Sequence, residues 1–437
     1  MRYIICSLLI FSAFQVVIAQ RQFLNTKSPY MPRQSRHTSG PAGYKPVFIN
    51  YVGRHGARFQ TAGDKEDAVM AIFEMAKKIN GLTKDGEAVL AALKEYRLIE
   101  KGNYGNITRL GIKEQQEIAA RMVKEYPLAI SGRPVLAEMT EKPRTQQSAA
   151  AFLKGLGIDS SSVKSIIFPA ASDSILRFYD LSASYKKYSV DQKITAHLDS
   201  LSKDKRTKQV VENVCKKIFS DGYIVELEQS VSYTAGGTKQ STNDNRLVQL
   251  IYDIYTSMYD AEEELSTAGK DLIPALSKVF TAYDLHWLDY LDCAVDYYQK
   301  GPGESVNDIQ VSIAAPLLND MISTTENAVS NKDYSGIFRF THAEAIAPLA
   351  ALLGIQEASS ASNSVFSIKE HWQSSAIIPM SANIQWILYH NGKDFLIKIL
   401  LNEKEVKLPV ATTTFPYYSW ENFKSYYESK LISIYKN

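Results

Sequence analysis

Short apolar runs alternate with longer segments of helical periodicity in the first part of the chain. Residues 47–52 form a compact, partly β-branched apolar run, which predicts a buried strand. Residues 64–78 follow, with apolar side chains on one stripe of a helix. The same two patterns continue and predict helices over 87–100, 112–125 and 145–156 and strands over 135–139 and 165–169. This alternation predicts an α/β fold with a mixed, largely parallel central sheet flanked by helices.

The strand pattern disappears in the middle of the chain. Residues 182–309 are charged, rich in tyrosine and helical in period, most clearly over 247–264 and 285–298. We interpret 182–309 as a mainly helical insertion domain, and 46–181 together with 310–437 as the α/β core. After the insertion, strands are predicted over 336–340, 383–389 and 395–401 and helices over 345–353 and 419–435. The last two strands flank an Asn-Gly pair, which is typical of a hairpin turn.

The first 19 residues have the pattern of a secretory signal peptide. Arg2 gives a positive start, residues 4–19 are almost uninterrupted apolar residues, and the expected cleavage site follows Ala19. Residues 20–45 contain several Pro, Ser and Gly residues without periodicity, which predicts an extended N-terminal arm. We therefore expect an exported protein, periplasmic or secreted. We expect no membrane span, because no other apolar run reaches the about 18 residues needed to cross a bilayer.

The charge balance gives no global attraction to nucleic acid or to membranes. The chain has 49 basic and 47 acidic residues, so any polyanion must be held by a local basic pocket. We therefore expect no nucleic acid as a partner. Two cysteines, Cys215 and Cys293, remain after removal of the signal peptide. They could form one disulfide, but the sequence leaves their pairing open.

The first predicted strand ends in a cluster of charged residues around a histidine. Arg54, His55, Gly56, Ala57 and Arg58 follow one another here, and ligands bind beyond the carboxyl ends of strands in open α/β sheets. Guanidinium groups match the oxygens of a phosphoryl group and stay charged at any relevant pH. A neutral imidazole between them can attack phosphorus and form a phosphohistidine. The arginines would stabilise the charge of the transition state.

Two further junctions add charged side chains to the same edge of the predicted sheet. Arg144 lies at the start of a predicted helix that follows a strand, where its charge and the helix dipole would together hold an anion. His342 and Glu344 follow the strand predicted over 336–340. His342 can donate a hydrogen bond to a phosphate oxygen, and Glu344 can protonate a departing alkoxide. Glu344 could also complement the dipole of the helix that it opens.

These motifs resemble the histidine phosphatase superfamily, in its acid phosphatase and phytase branch. That branch usually places Asp directly after the late histidine, whereas the order here is His342, Ala343, Glu344. This order is similar to that of the multiple inositol polyphosphate phosphatases. Four weaker segments also resemble that subfamily: 176–180, 290–303, 381–384 and 401–403.

The resemblance implies a phosphomonoesterase that hydrolyses inositol polyphosphates, including phytate, and releases inorganic phosphate without a metal or another cofactor. It implies that His55 is the nucleophile and Glu344 the proton donor. The residues that it implies for phosphate binding are Arg54, Arg58, Arg144 and His342. Vertebrate and fungal relatives tend to be rich in cysteine. The two cysteines expected in the mature chain are more typical of a bacterial periplasmic form.

Phosphates that are not being cleaved need further partners around the pocket. Arg177, Lys186 and Lys187 are candidates because they follow a predicted strand at the entry to the insertion domain. Thr61 lies soon after the first motif and could also line the pocket. For the two lysines, an ordinary charged surface turn remains the alternative.

Two other functions are compatible with the motifs. One is a broad-specificity histidine acid phosphatase that acts on sugar or glycolytic phosphates. The other is an exported protein without catalytic activity that binds phosphorylated ligands. All six candidate catalytic residues are present in the chain, although a silent protein would be expected to lose the nucleophile or the acid.

Overall fold

The computed structural model describes residues 23–130, 132–235, 238–331 and 333–436. The predicted signal peptide, residues 1–19, lies outside these ranges. Within them, no helix combines the length and the apolar character that crossing a membrane would require. The predicted arm is irregular as far as it is described, apart from a short 3-10 turn over Asn25–Lys27, and it continues directly into the first strand.

The chain divides into two compact units. The first comprises Arg58–Thr108 and Ala196–Cys293 with the stretch ending at Ser28, and the second comprises Pro29–Ala57, Arg109–Thr195 and Ala294–Asn437. This division differs from the predicted boundaries, because 58–108 groups with the insertion while 182–195 and 294–309 group with the sheet. An amphipathic stripe shows that a helix has a buried face but not which partner covers that face.

An eight-stranded sheet organises the second unit. The strands follow the spatial order β10-β8-β7-β1-β6-β2-β3, and β9 pairs with β8. Pairing is parallel among β1, β6, β2 and β3 and antiparallel from β1 through β7 and β8 to β10. The predicted α/β fold with a mixed sheet is confirmed, but the described pairings of this sheet are three parallel and four antiparallel, so the sheet is not largely parallel as predicted. The strands of this sheet are β1 Lys45–Arg54, β2 Val135–Thr140, β3 Val163–Phe168, β6 Gly336–Thr341, β7 Asn383–His390, β8 Phe395–Leu401, β9 Lys404–Glu405 and β10 Tyr417–Ser419.

The register of β1 against β6 fixes where these two strands end. Arg54 lies opposite Thr341 in this parallel pair, so the residues that follow leave the sheet side by side at one edge. β6 is buried along its whole length and β1 from Phe48 to its end, as their apolar sequences predict.

An aromatic cluster forms the centre of the core on one face of the sheet. Tyr51 of β1 and the ring of Phe152 have centroids 4.8 Å apart, and Phe338 and Phe340 of β6 surround the same two rings. Phe152 belongs to the helix Pro143–Leu156, which packs against the helix Arg109–Glu125. These rings anchor the helix that carries Arg144.

The remaining helices fall into groups by position in the chain. Those of the first unit are Asp64–Lys78, Lys84–Glu100, Lys205–Ile218, Asp221–Glu228, Asp244–Asp260, Glu262–Thr267 and Ile273–Ser277. Two helices each contain a boundary between the two sets of residues, Gln192–Ser202 and Ala282–Gln299. The other helices of the second unit are Phe178–Leu181, Ala183–Ser189, Ile309–Ser312, Ala315–Ser330, Ala343–Leu352, Gln356–Ser359, Ile368–His371, Ser374–Ile377 and Trp420–Lys436.

Two strands lie within 182–309, a range in which the sequence pattern gave no strand signal. Val231–Ala235 (β4) and Thr238–Thr242 (β5) form an antiparallel two-stranded sheet in the first unit. Every described residue of β5 except Thr242 is exposed, so the hydrophobic pattern that marks a buried strand is absent here. Cys215 and Cys293 are both buried and are not joined to each other by a disulfide, which answers the question of pairing that the sequence left open.

Candidate active site

His55 and His342 lie side by side, one residue beyond the paired ends of β1 and β6. Their ring centroids are 5.4 Å apart, with an angle of 66° between the ring planes. The two residues are 4% and 3% exposed. The parallel register of the two strands therefore brings together two histidines that are 287 positions apart (342 − 55).

Backbone hydrogen bonds hold the segment that carries His55. The Arg54 amide donates to Ala382 O at 2.7 Å, and the His55 amide donates to Thr341 O at 3.0 Å. The Ser381 amide donates in turn to His55 O at 3.1 Å. With both its amide and its carbonyl bonded, the backbone of His55 has little freedom to move.

Close backbone packing continues over the next two residues. The Gly56 amide donates to Ser148 Oγ at 3.0 Å, and the Ala57 amide donates to the buried carboxylate of Glu114 at 3.0 Å. A Cβ atom on Gly56 would lie 2.6 Å from Gly111 O, and one on Gly111 would lie 2.2 Å from Ala57 O. The glycine of the motif is thus required by direct contact with the helix Arg109–Glu125.

One hydrogen bond fixes the tautomer of the His55 ring. Nδ1 of His55 lies 2.9 Å from Gly56 O. Because a carbonyl oxygen can only accept, Nδ1 carries the proton. In the neutral ring, Nε2 then holds the lone pair, which is the form needed for nucleophilic attack.

Two arginines contribute positive charge around the histidines. Arg54 is 6% exposed, and its Nη1 donates to Ile378 O. Arg144 is the second residue of the helix Pro143–Leu156 and is half-buried. Its position at a helix N-terminus is unfavourable for a cation but favourable for holding an anion.

The ring of His342 is uncharged at neutral pH. Burial, reinforced by the positive charge of Arg144, holds the pKa of His342 well below its ordinary value. Nε2 of His342 lies 3.3 Å from Thr140 Oγ1, at the end of β2, and the ring meets that of Tyr179 edge-on at 6.4 Å. His342 also precedes the first residue of the helix Ala343–Leu352.

Glu344 faces a lysine that the sequence analysis did not select. Its Oε1 lies 3.3 Å from Nζ of Lys300, and the two side chains are 34% and 17% exposed. Burial raises the pKa of Glu344, but the charge of Lys300 and weaker contributions from its other neighbours together outweigh burial, and the pKa falls to about 2. Nζ of Lys300 also lies 2.8 Å from Asp296 Oδ1, one helical turn earlier. The spacing of Asp296 and Lys300 in a helical segment was the available sequence signal.

The residues predicted to bind the phosphates that are not being cleaved differ in how exposed they are. Arg177 is half-buried and its Nε donates to Asp180 Oδ2 at 2.6 Å. Its charge acts on His342, whose pKa it helps to lower after burial and Arg144. Lys186 and Lys187 are exposed on the helix Ala183–Ser189, as expected for the charged-surface alternative.

Arg58 and Thr61 belong to the residue ranges of the first unit. Arg58 is half-buried and donates through Nη1 to Phe59 O at 2.8 Å, and Thr61 is exposed. The residues that the second unit brings together are Arg54, His55, Arg144, His342 and Glu344. Among the described residues, no group of three or more His, Cys, Asp or Glu side chains could hold a metal ion.

Comparison with known proteins shows which family the chain belongs to. Residues 47–402 match the model of the histidine phosphatase superfamily (branch 2). The chain therefore belongs to this superfamily, which confirms the resemblance inferred from the motifs.

Two curated relatives are multiple inositol polyphosphate phosphatase 1 of Gallus gallus and of Homo sapiens. The chicken protein is 24% identical over 407 residues, which cover 90% of this chain and 83% of the relative. The human protein is 25% identical over 430 residues, with coverage of 89% and 80%.

Solved structures share the fold. The multiple inositol polyphosphate phosphatase of Bifidobacterium longum, in complex with inositol hexasulfate, has a TM-score of 0.81 and 22% identity and covers 92% of this chain and 97% of its own. The phytase of D. castellii has a TM-score of 0.68 and 15% identity, with coverage of 95% and 85%.

Proposed function

We propose that the protein is a phosphomonoesterase that hydrolyses inositol polyphosphates, phytate among them, through a phosphohistidine formed on His55. The observation that carries the proposal is the convergence of His55 and His342 beside Arg54 and Arg144. The relatives named multiple inositol polyphosphate phosphatase support the substrate class.

In the first step, the scissile phosphoryl group binds between the positive side chains. Arg54, Arg58 and Arg144 neutralise its oxygens through charged hydrogen bonds. His342, uncharged because of its lowered pKa, donates a neutral hydrogen bond to another oxygen. Binding in this way places phosphorus opposite Nε2 of His55.

The chemical step divides one displacement into two. The lone pair of His55 Nε2 forms a bond to phosphorus while the bond from phosphorus to the ester oxygen breaks. That oxygen keeps the bonding pair and takes a proton from the Glu344 carboxyl. Water then attacks the phosphohistidine and gives a proton to Glu344. The P–N bond breaks, and inorganic phosphate leaves with neutral His55 restored.

The other phosphates of a polyphosphorylated inositol need partners outside the scissile position. Two observations support Arg177 as such a partner: it is half-buried, and its charge acts on His342. Lys186, Lys187 and Thr61 are proposed as outer contacts, and their exposure gives a substrate ready access to them. Export with cleavage near Ala19 is part of the same proposal, and N-terminal sequencing of the protein recovered outside the cytoplasm tests it.

Phosphate release by the purified protein tests the proposed function. The protein, treated with EDTA, should release phosphate from phytate, and His55→Ala should abolish turnover while the far-UV circular dichroism stays unchanged. A turnover of simple phosphomonoesters equal to that of phytate would instead indicate a broad-specificity phosphatase. Phytate binding in calorimetry without any phosphate release would indicate a binding protein.

A further inference from the structure

Asp296, Lys300 and Glu344 form a cluster of charges in the second unit. Nζ of Lys300 lies 2.8 Å from Asp296 Oδ1 and 3.3 Å from Glu344 Oε1. Lys300 follows the last residue of the helix Ala282–Gln299, and its amide donates to Asp296 O at 2.8 Å. A single cation thus bridges the proposed proton donor and a second carboxylate.

Glu344 is surrounded by groups from four parts of the fold. His342 lies on its own turn, Arg54 at the end of β1, and Lys300 with Asp296 at a helix end. Tyr179 and Tyr185, in the segment after β3, complete the surroundings. Burial is the main reason why the pKa of each tyrosine is raised, and the charge of Glu344 raises it further. Lys300 exerts the largest electrostatic effect that lowers the pKa of Glu344.

This pairing conflicts with the task of a proton donor. With its pKa lowered to about 2, the Glu344 carboxyl is almost entirely ionised at mildly acidic and neutral pH. A general acid works best when its pKa lies near the working pH. Glu344 therefore needs an event on substrate binding that weakens its contact with Lys300.

We propose that Lys300 moves its ion pair from Glu344 to a phosphate next to the scissile one, so that Glu344 takes up a proton only when a polyphosphorylated substrate is bound. This inference rests on the proposed function. Lysine suits the exchange because it is a point charge on a flexible stem. The side chain of Lys300 is 17% exposed, so it is not fully closed off from solvent. Asp296 remains its anchor during the exchange.

The proton balance of the exchange is simple. When Lys300 turns to the adjacent phosphate, Glu344 loses its main positive neighbour and accepts one proton from solvent. It gives that proton to the leaving oxygen as the ester bond breaks. In the second half of the cycle it receives one proton from the attacking water and returns it to solvent when Lys300 pairs with Glu344 again.

In this arrangement Lys300 selects substrates by their second phosphate. A monoester with one phosphate leaves the pair of Lys300 and Glu344 intact, so its alkoxide departs without efficient protonation. An aryl phosphate needs little protonation because its leaving group is stable as an anion. Only a substrate with neighbouring phosphates both binds Lys300 and activates Glu344.

Lys300→Met tests this with phytate, β-glycerophosphate and p-nitrophenyl phosphate. For phytate, we expect kcat/KM to fall about 10- to 100-fold, the loss typical of a charged hydrogen bond. For β-glycerophosphate, removal of Lys300 raises the pKa of Glu344 in the free enzyme. In a plot of kcat/KM against pH, the decline on the alkaline side (the alkaline limb) should therefore move to higher pH, and the rate at pH 5 should rise. The rate with p-nitrophenyl phosphate should change by less than about threefold.

Lys193→Met is the matched control, because Lys193 also pairs with a carboxylate, that of Glu304, but is 68% exposed. This variant should match the wild type on all three substrates. Lys300→Arg keeps the charge and provides a second test if the methionine variant folds poorly. The guanidinium group of the arginine can bind both oxygens of Glu344 and should hold it more firmly. The alkaline limb for β-glycerophosphate should therefore move to lower pH.

Two results would overturn the inference. One is an equal loss on all three substrates in Lys300→Met, and the other is an alkaline limb that does not move. When Glu344→Gln is already present, adding Lys300→Met should no longer shift the alkaline limb of the pH profile. A shift that persists in this double variant would also count against the proposal. A wild-type protein that releases no phosphate from any substrate would refute the proposed function itself, which separates the two failures.

Discussion

Gly56 and Gly111 meet backbone against backbone, at a distance where neither position has room for a side chain. A Cβ atom on Gly56 would lie 2.6 Å from Gly111 O. This contact sets the segment after β1 directly on the helix Arg109–Glu125. The position of the His55 ring therefore depends on a residue 56 positions away (111 − 55).

Gly111→Ala should reduce both stability and activity. The new methyl group would lie 2.2 Å from Ala57 O, so the segment after His55 must shift. We expect a loss of about 1–3 kcal/mol in the free energy of unfolding, measured by urea denaturation. We also expect a drop in kcat of at least about tenfold, because misplacement of a nucleophile is costly.

Gly222→Ala is the control for this substitution. Gly222 lies in the helix Asp221–Glu228, with nothing within 4 Å of its added Cβ. Alanine there should be neutral or stabilise the protein by up to about 1 kcal/mol. Equal behaviour of the two variants would contradict the importance of the contact between Gly56 and Gly111.

Arg144→Gln should weaken phosphate binding and change the titration of His342. Loss of one charged contact to the phosphoryl group should lower kcat/KM about 10- to 1000-fold. Because Arg144 helps to lower the pKa of His342, its removal should raise that pKa. NMR titration of the His342 ring measures the second effect.

Lys142→Gln provides the comparison for Arg144, because Lys142 immediately precedes the same helix and pairs only loosely with Glu141, at 3.8 Å. It should leave both the rate and the His342 titration unchanged. A His342 pKa that stays the same in Arg144→Gln would argue against the electrostatic link.

Glu344→Gln should affect substrates according to their leaving groups. An amide cannot donate the proton that an alkoxide needs, so turnover of phytate should fall about 10²- to 10⁴-fold. Turnover of p-nitrophenyl phosphate should fall far less, because nitrophenolate leaves readily as an anion. Equal losses on both substrates, compared by steady-state kinetics, would remove Glu344 from the role of acid.

Glu66 should make the stability of the protein depend on pH. Its carboxyl is fully buried, and burial, with the nearby Glu100, raises its pKa from 4.5 to about 7. The folded state then holds more protons than the unfolded state between these pH values. The free energy of unfolding should therefore fall as the pH rises from 4.5 to 7, by up to about 3 kcal/mol.

Glu66→Gln isolates this contribution, because glutamine does not titrate. Denaturation at pH 5 and at pH 8 should show a smaller difference in the variant than in the wild type. Identical differences would mean that Glu66 does not carry the pH dependence. Glu87→Gln, an exposed carboxylate in an ion pair with Lys77, should leave the pH dependence as it is in the wild type.

Strong local periodicity made several elements predictable from the sequence. The helix predicted over 64–78 is observed as Asp64–Lys78, and the strand predicted over 395–401 is observed as Phe395–Leu401. The helix predicted over 247–264 ends earlier, at Asp260. Residue patterns indicate that an element exists more reliably than where it ends, because chain ends and caps depend on neighbours.

Only some of the residues around the nucleophile could be predicted from the sequence. The strand ends that carry His55 and His342 followed from apolar runs that stop in polar turns. Lys300 and Glu114 were not selected, although Lys300 contacts Glu344 and Glu114 accepts the Ala57 amide. Each belongs to a helix or helix end, and the local signal at Lys300, its spacing from Asp296, is shared by many charged pairs on helix surfaces.

The sequence by itself determined the strongly periodic elements, the α/β class and the two motifs, because these depend on periodicity and on residues that are close together in the chain. The tertiary structure alone decided that β1 lies beside β6, that residues 58–108 group with 196–293, and that Lys300 meets Glu344. Such contacts join segments far apart in sequence. They arise from the packing of whole surfaces, which no short window of residues encodes.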